Sequence, residues 1–262
     1  MNAAPRFPVT LLSRIEDAGL NASAPPQQRW LDGWLVRFSP GKAKRARCVL
    51  PMAAGRLGVD DKLALASQVF DEAKLPVLVR ITPFSQPRGL DGHLQANGWS
   101  AVDDTRVMVA SLAAKPKIEA LPRDMVFDRL GVAAFAQAVG ALRGSPLSQR
   151  EAHAQRLEAA PVPLVPLAIR RKADGALLAC GQFSREADLV GLYDVFVAPE
   201  WRGRGLARRL CARLLALAYA EGATTAYLQV DADNAPAIAV YERLRFADGY
   251  RYHYRLRPGD AT

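Results

Sequence analysis

The alternation of apolar and polar positions is clearest between residues 189 and 220. Residues 189–197 form an apolar run rich in valine and aromatic side chains, which is typical of a strand buried on both faces. Pro199 then ends the run, because proline has no amide N–H to contribute to a strand ladder. From Leu206 onward leucines recur every four residues with arginines between them, and this periodicity predicts an amphipathic helix.

The strand and the helix are joined by Arg202-Gly203-Arg204-Gly205, which has the features of an anion site. The two glycines let the backbone approach a ligand closely, and the first turn of a helix offers unpaired amide N–H groups and the positive end of its dipole. Such a junction favours a phosphate or pyrophosphate ligand. A basic helix start whose glycines only turn the chain is the alternative.

Two common nucleotide motifs are excluded at this loop. A Walker A loop ends in Gly-Lys-Ser or Gly-Lys-Thr, whereas Leu206 and Ala207 follow Gly205 here. A Rossmann fingerprint needs a third small residue at a position that Arg208 occupies. The predicted anion therefore belongs to a different kind of phosphate-bearing ligand.

Strands and helices alternate through the rest of the chain. In the second half, periodicity predicts strands at 125–130, 165–171, 176–183, 224–230 and 250–256, and helices at 132–142, 147–159, 206–220 and 234–244. The first half has a helix near 11–20, then strands at 30–39, 45–52, 76–82 and 105–112 and helices at 60–74 and 90–97. The segment 113–122 is polar, holds two prolines and lacks periodicity, so it predicts a linker between domains at 1–115 and 118–262.

The two halves repeat one another in element order, which predicts a degenerate internal duplication. An alignment of LPMAAGRLGVD with VAPEWRGRGLA sets Gly55 against Arg202, Leu57 against Arg204 and Asp60 against Ala207. An acidic side chain repels phosphate, so the N-terminal copy is expected to hold no polyanionic cofactor. Its expected role is structural or substrate-shaping.

Composition and charge narrow the range of partners. The chain has 262 residues and carries a net charge of +9, with a pI near 9.8. This charge is compatible with nucleic acid or an anionic membrane surface, but the basic residues are spread along the whole chain and form no basic tract. No apolar run reaches the ~18 residues of a membrane span. We therefore expect neither nucleic acid nor a membrane as partner.

The cysteines indicate the redox compartment, and the histidines bear on whether the protein binds a metal. Cys48, Cys180 and Cys211 lie in apolar periodic segments without paired spacing, which predicts buried thiols in a reducing compartment. The N-terminus has no long apolar signal segment, and the expected location is cytoplasmic. The three histidines are far apart with no carboxylate or cysteine at ligand spacing, so no metal site is predicted.

Two motifs of the second half stand on consecutive helices. They are Arg202-x-x-Gly205-x-Ala207 after a strand, and Asn234-x-x-Ala237-x-x-x-Tyr241-Glu242-x-Leu244-x-Phe246 on the next helix. Together they resemble the GNAT superfamily of acetyl-CoA-dependent N-acetyltransferases, over residues 125–256. The resemblance implies an α/β fold of two GNAT-like mixed-sheet domains in tandem, the N-terminal one degenerate. Arg245 departs from the family, which has glycine there, so the left-handed end of this helix is expected to cost about 1 kcal/mol.

The resemblance implies acetyl-CoA as co-substrate, held between strands 189–197 and 224–230 where they diverge. The pantetheine arm would bond to the backbone of Val195, Phe196 and Val197. The pyrophosphate would be held by the loop and the start of its helix, through Arg202, Gly203, Arg204, Gly205, Leu206 and Ala207. Asn234 and Ala237 would hold the CoA arm, although Asn234 could instead only cap its helix.

The resemblance also implies that an amine attacks the thioester directly, without a covalent enzyme intermediate. The reaction needs a neutral amine, a donor for the developing oxyanion and a proton for the thiolate. Tyr241 matches the family position that protonates the CoA sulfur, and the alternative is a packing tyrosine. Asp194 is the first candidate for the base and His153 the second, but Asp194 could equally be a structural carboxylate paired with a neighbouring arginine.

The sequence thus predicts an N-acetyltransferase that moves acetyl from acetyl-CoA to a primary amine, on a small molecule or a peptide, in a ternary complex. A non-catalytic acyl-CoA-binding or sensing module is the alternative, since it needs the glycine loop but neither acid nor base. The identity of the amine, the acyl-chain preference and the oligomeric state, monomer or homodimer, are left open at this level.

Overall fold

The structure, a computed structural model, describes residues 6–261. In chain order the helices of this part are α1 (Val9–Ala22), α2 (Val59–Glu72), α3 (Leu90–Ala96), α4 (Val132–Leu142), α5 (Leu147–Glu158), α6 (Leu206–Ala220) and α7 (Ala235–Arg243). The strands are β1 (Gln28–Leu31), β2 (Trp34–Arg37), β3 (Val49–Pro51), β4 (Leu78–Ile81), β5 (Ser100–Ser111), β6 (Met125–Arg129), β7 (Leu164–Arg171), β8 (Leu177–Glu186), β9 (Leu189–Val197), β10 (Thr225–Asp231) and β11 (Ala247–Leu256).

The described chain divides into two units that interrupt one another in sequence. Unit 1 consists of the residues up to Ala22, Val107–Val230 and Asn234–Gly249. Unit 2 consists of Ser23–Arg106, Asp231–Asp233 and the residues from Tyr250 onward. The predicted division into 1–115 and 118–262 differs from this one, because a strand joins the sheet that offers it backbone partners, whichever half of the chain it comes from.

Unit 1 is built on a mixed sheet in the order β5-β10-β9-β8-β7-β6. From β6 to β9 each strand is antiparallel to its neighbour, whereas β9 and β10 run parallel. A parallel pair needs a crossover connection, and α6 provides it. The sheet therefore places the loop before α6 at the carboxyl end of β9.

Helices cover both faces of this sheet. Leu210 and Leu214 of α6 are fully buried in the cluster that contains Ala179. Helix α4 contributes Phe135 and helix α5 contributes Leu157 to the cluster that contains Cys180. Because successive strand residues point to opposite faces, α6 packs on one face and α4 with α5 on the other.

The parallel strands β9 and β10 are paired only over their first residues. Their register runs from Leu189 opposite Thr225 to Leu192 opposite Leu228. Both strands continue beyond this point, β9 to Val197 and β10 to Asp231. The predicted divergence of these two strands is thus a feature of the fold, and it leaves one edge of the end of β9 open.

A bulge lies in β9 where the strands part. Cys180 of β8 faces Phe196 and Gln182 faces Tyr193, so two residues of β9 lie opposite the single residue Gly181. One of them, Asp194, has a left-handed φ of 52°. Such a bulge turns a side chain out of the regular alternation, and it is common beside functional sites.

Unit 2 also contains a mixed sheet, in the order β1-β2-β3-β4-β11. Strands β3 and β4 are parallel and are connected through α2, whereas the other neighbours are antiparallel. Its core gathers Trp34, Phe70, Leu94 and Trp99. Unit 2 therefore has a strand–helix–strand crossover of its own.

One predicted strand is in fact a hairpin. Residues 30–39 were expected to form a single strand paired with 45–52, but β1 and β2 turn at Asp32 and Gly33. These two residues have φ of 42° and 82°, the left-handed values that a tight hairpin turn needs. The Asp-Gly pair is a strong hairpin signal, and the apolar residues on both sides of it masked the turn.

Candidate active site

A cavity of about 860 Å³ opens in unit 1 beside the end of β9. The loop after β9, the start of α6 and one side of α7 complete its walls. Among the predicted site residues, the lining includes Val195, Phe196, Val197, Arg202, Gly203, Gly205, Leu206, Ala207, Asn234, Ala237 and Tyr241. Arg204 and Asp194, which were also predicted, are not among the lining residues.

The glycine loop presents its amides to this cavity. Gly203 and Gly205 have φ of 75° and 74°, values that favour glycine. In the described chain the amide N–H groups of residues 203–207 donate to no protein acceptor, and no side chain caps the helix at Gly205. These unpaired donors at the positive end of the α6 dipole fit a pyrophosphate.

Arginines brace the loop and add positive charge to it. Nη1 of Arg209 lies 3.1 Å from the carbonyl oxygen of Arg204, which holds the loop against the first turn of α6. Nε of Arg202 lies 3.3 Å from the carbonyl oxygen of Val197. The guanidinium of Arg204 lies 4.5 Å from the centre of the Trp201 ring, so stacking rather than cavity lining accounts for its place.

The N-terminus of α7 forms another part of the wall. The side-chain oxygen of Asn234 accepts a hydrogen bond from the amide of Ala237 at 3.2 Å, which makes Asn234 the N-cap of α7. Of the two roles weighed for Asn234, the cap is therefore present in the structure. The residue also lines the cavity, so contact with a ligand stays a prediction.

Tyr241 projects from α7 into the same cavity. Its side chain is buried, and its hydroxyl makes no hydrogen bond to other described residues. Burial raises the pKa of the Tyr241 hydroxyl above its usual value, and the neighbouring Cys211 thiol raises it further. Tyr241 therefore keeps its proton at neutral pH and can act as a hydrogen-bond donor, and the raised pKa makes it a weaker acid than a solvent-exposed tyrosine.

Asp194 lies in a network of polar side chains instead. Nη1 of Arg143 and Nε2 of Gln182 each lie 3.0 Å from a carboxylate oxygen of Asp194, and Nε2 of His153 lies 3.4 Å from Oδ2. The side chain of Asp194 is 22% exposed. These contacts correspond to the alternative weighed for this residue, a carboxylate paired with a neighbouring arginine.

The charge state of Asp194 follows from these neighbours. Burial by itself raises the pKa of Asp194, but the contact with His153 and the charges of Arg143 and Arg156 outweigh it. The net effect holds the pKa of Asp194 below its usual value. A carboxylate with a lowered pKa is a weak proton acceptor, which disfavours it as a general base.

Several residues of this region lie outside the set predicted from the sequence. Trp201, Pro236, Val240 and Arg243 also line the cavity. Gln182 is fully buried in β8, and its signal was a polar side chain within the apolar segment 176–183. Arg143 had no comparable signal, since it lies just after α4 among residues without periodicity.

Other expectations concern metals, thiols and membranes. Within residues 6–261, no group of His, Cys, Asp and Glu side chains is arranged to hold a metal ion. The three cysteines are buried and unpaired, and burial raises the pKa of Cys180 and Cys211 to about 12. None of the helices described is long and apolar enough to cross a membrane.

Comparison with known proteins agrees with the geometry. The model of the acetyltransferase (GNAT) family matches residues 136–246. The chain is 27% identical to YobR, an uncharacterized N-acetyltransferase of Bacillus subtilis, over 88% of this chain and 92% of that protein. Among solved structures, a GCN5-related N-acetyltransferase from Kribbella flavida has a TM-score of 0.69 and 17% identity, with 95% of this chain and 96% of that chain covered.

A second solved structure bears on the domain arrangement. A tandem GNAT protein from the clavulanic acid biosynthesis pathway has a TM-score of 0.63 and 18% identity, with 78% of this chain and 70% of that chain covered. At this identity the likeness concerns the fold alone. The family match spans the end of β9, the glycine loop, α6 and α7, which are the elements that form the cavity. Residues 136–246 of the chain therefore match the GNAT family of acetyltransferases.

Proposed function

We propose that this protein is an N-acetyltransferase that moves acetyl from acetyl-CoA to a primary amine by direct attack in a ternary complex. The observation that carries the proposal is the row of unpaired amides at residues 203–207, at the head of a cavity beside the open end of β9. Acetyl-CoA combines a pyrophosphate with a long thioester arm, and this site offers a place for both.

The end of β9 is proposed to hold the reacting end of the co-substrate. The pairing of β10 with β9 ends at Leu192. Beyond it, on the edge of β9 that faces β10, some backbone groups of Val195 and Val197 therefore form no hydrogen bonds to a neighbouring strand. We assign the pantetheine contacts to Val195, Phe196 and Val197. An amide of Val195 or Val197 would stabilise negative charge that develops on the thioester oxygen.

Tyr241 is proposed as the general acid. A C–N bond forms as the neutral amine attacks the carbonyl carbon, and the C–S bond then breaks. Tyr241 donates its hydroxyl proton to the departing sulfur and recovers a proton from solvent, while the amine nitrogen loses one proton to a base. The products are an acetamide and CoA with a free thiol, so the protons balance.

Two residues compete for the role of the base. Asp194 stays the first candidate predicted from the sequence, but its ion pair with Arg143 and its lowered pKa favour a positioning role. His153, whose side chain is 14% exposed and lies beside Asp194, is the second candidate. We propose that Asp194 orients this region and that His153 or a water molecule beside it takes the proton.

Unit 2 is proposed to be a degenerate GNAT copy in tandem with unit 1. The order β1-β2-β3-β4 with α2 between the parallel strands corresponds to β7-β8-β9-β10 with α6. We propose that acetyl-CoA binds to unit 1 only. The acceptor is then a small-molecule or peptide amine, without nucleic acid or membrane as partner.

Two measurements test the proposal. Acetyl-CoA should raise the melting temperature of the protein, because a ligand that binds the folded state stabilises it. Incubation with acetyl-CoA and a panel of primary amines should then release free CoA thiol, detected with a thiol-reactive dye. A melting shift without thiol release for any amine would support the acyl-CoA-sensing alternative, and the absence of both would overturn the proposal.

A further inference from the structure

Beside the proposed thioester site, four side chains form what we call the Asp194 cluster: Arg143, His153, Gln182 and Asp194. We propose that this cluster binds the acceptor, and that the acceptor is an amine that also carries a carboxylate. In this arrangement the amino group meets Gln182 and His153, and the carboxylate meets Arg143. The inference rests on the proposed acetyl transfer and adds to it the chemical class of the acceptor.

The orientation of Gln182 gives the first argument. Its Nε2 lies 3.0 Å from Oδ2 of Asp194, and because an ionised carboxylate only accepts hydrogen bonds, the NH₂ group must point there. The side-chain oxygen Oε1 must then point elsewhere. Gln182 is fully buried, and its Oε1 has no hydrogen-bond partner among the described residues. A buried oxygen of this kind calls for a donor, and an amine N–H is one.

Helix α5 supplies further unpaired polar atoms. Nε2 of His153 and Oε1 of Gln149 are buried and form no hydrogen bond within the described chain. Gln149 and His153 are four residues apart, so they lie on the same side of α5. Nε2 of His153 faces Oδ2 of Asp194 at 3.4 Å. The buried atoms here that lack any partner among the described residues are therefore the side-chain oxygens of Gln149 and Gln182. They suit a ligand that donates hydrogen bonds.

The charge balance favours an anionic group on the same ligand. Asp194 is the carboxylate of the cluster, and it interacts with Arg143, His153 and Arg156. Two arginines, Arg143 and Arg156, thus lie near the single carboxylate of the cluster. An acceptor with several ammonium groups would meet repulsion, whereas a carboxylate would be attracted. Arg143 is 36% exposed and uses one N–H on Asp194, so its guanidinium has donors left for a carboxylate.

Phe196 places the cluster next to the cofactor cavity. Its ring lines the cavity, and the guanidinium groups of Arg143 and Arg202 lie 5.6 and 5.4 Å from the ring centre. Asp194 and Val195 are neighbours in the bulge of β9. An amine held by the cluster is therefore adjacent to the end of β9, where the thioester is proposed to lie.

Matched pairs of amines test the inference. The probes are phenylalanine with phenethylamine, ε-aminocaproate with hexylamine, and alanyl-alanine with its C-terminal amide. The first two pairs differ by the presence of the carboxylate, and the third masks it. We expect kcat/KM from the thiol-release assay to be at least ~10-fold higher for the carboxylate-bearing member of one or more pairs.

Two variants connect this preference with the cluster. Arg143→Gln should bring the ratio within a pair close to one, whereas Arg123→Gln, which removes a charge from an exposed position of unit 1, should keep it. Gln182→Met should raise KM for the amine about fivefold in the preferred pair, since it removes the oxygen that accepts the N–H. The melting shift with acetyl-CoA shows whether each variant is folded.

Several outcomes overturn the inference. Equal rates within every pair, faster reaction of the members without a carboxylate, or a preference that survives Arg143→Gln would each do so. If acetyl-CoA raises the melting temperature and the amines without a carboxylate are acetylated equally well, the proposed transferase function stands and only the acceptor class is wrong. If no probe releases thiol although acetyl-CoA binds, the carboxylate-bearing acceptor class is overturned, and the wider panel of primary amines decides separately whether the transfer reaction stands.

Discussion

The loop before α2 and the loop before α6 join a strand to a helix in the same way, yet only one of them is open. In unit 2, Oδ2 of Asp32 lies 2.8 Å from the amide nitrogens of Arg56 and Leu57. In unit 1, the corresponding amides at residues 203–207 meet no acceptor within the residues described. In unit 2, the carboxylate of Asp32 thus accepts from the loop amides whose counterparts in unit 1 are proposed to bind a phosphate.

Both loops are braced by a cation on the first turn of the helix. Nζ of Lys62 lies 2.9 Å from the carbonyl oxygen of Asp32 and also contacts that of Ala54, just as Arg209 holds the carbonyl of Arg204. Lys62 is wholly buried, whereas Arg209 is 23% exposed. Both loops therefore have a cation that contacts loop carbonyl oxygens. They differ in that, in the described chain, only the loop before α2 has a protein carboxylate, that of Asp32, on its amides.

The sequence predicted that the N-terminal copy does not bind a polyanion, but on the basis of a different aspartate. Asp60 was expected to repel phosphate from the start of α2. In the structure Asp60 is 81% exposed and contacts His93 at 2.7 Å, so it points away from the loop amides. Asp32, which comes from the β1–β2 hairpin, closes the loop instead.

The largest expected effect comes from Gly205→Glu. This substitution puts a carboxylate on the left-handed residue at the start of α6, next to the amides that are proposed to bind pyrophosphate. It makes the open loop resemble the closed one. We expect the affinity for acetyl-CoA to fall by more than ~1000-fold, measured by isothermal titration calorimetry.

Gly222→Glu is the matched control for this variant. Gly222 has a φ of 98°, an added Cβ there meets no atom within 4 Å, and the residue follows the other end of α6. It therefore carries a comparable backbone cost and the same charge, and acetyl-CoA should still bind. If Gly205→Glu retained one bound acetyl-CoA per chain, the loop before α2 would be the binding loop and the comparison would be reversed.

Tyr241→Phe is expected to have the next largest effect. At the spacing that aligns the two glycine loops, the counterpart of Tyr241 is Leu94, which is fully buried in the core of unit 2 and has no proton to give. Removal of the hydroxyl should lower kcat about 100-fold and change KM far less. Tyr219→Phe, on α6, serves as control. A kcat equal to that of the parent protein would remove the acid role from Tyr241.

Lys62→Met tests the brace of the closed loop. It removes a fully buried ammonium that interacts with Asp32 and two carbonyl oxygens, so these acceptors lose their donor. We expect a loss of about 3 kcal/mol of unfolding free energy. Arg209→Met removes the more exposed brace and should cost less than about 1 kcal/mol. Equal losses in chemical denaturation would mean that burial does not distinguish the two cations.

The closed loop should also respond to acid. The hydrogen bond from the amide of Leu57 is the main cause that lowers the pKa of Asp32, and the amide of Arg56 and Lys62 lower it further, against an opposing effect of burial. Because the folded pKa lies below the unfolded value of about 3.9, this contribution to stability is complete above that value. It is lost as the pH falls through the folded pKa.

Asp32→Asn should therefore flatten the acid limb of the melting temperature plotted against pH. The variant has no carboxylate to protonate in the loop, so it should melt lower than the parent at neutral pH and lose less on acidification. In the proposed acetyl-CoA site, the amides of residues 203–207 meet no carboxylate of the described residues, so that loop offers no comparable response. Parallel acid limbs for the variant and the parent would contradict the assignment of Asp32 as the internal anion.

Periodicity predicted much of unit 1 and less of the rest. The strand 189–197 and the helix 132–142 are confirmed to the residue, and Tyr241 and the glycine loop do line one cavity. Periodicity reports which side chains are buried, not which strands pair. It therefore missed the bulge at Asp194 and the long-range contact of Asp32 with Arg56.

The smallest predicted effect concerns the ends of α3 and α7, which form the same hydrogen bonds. The amide of Trp99 bonds to the carbonyl of Leu94, and that of Phe246 bonds to the carbonyl of Tyr241, each at 3.0 Å. The residue before the aromatic is left-handed in both, Gly98 with φ of 81° and Arg245 with φ of 70°.

Arg245 therefore adopts the conformation that the family's glycine has, at a steric cost that glycine avoids. Arg245→Gly should raise the unfolding free energy by about 1 kcal/mol, and Gly98→Arg should lower it by a similar amount. Differential scanning calorimetry would detect both as melting shifts of about 2–4 °C in opposite directions. Shifts of the same sign would mean that backbone conformation does not decide stability at these two helix ends.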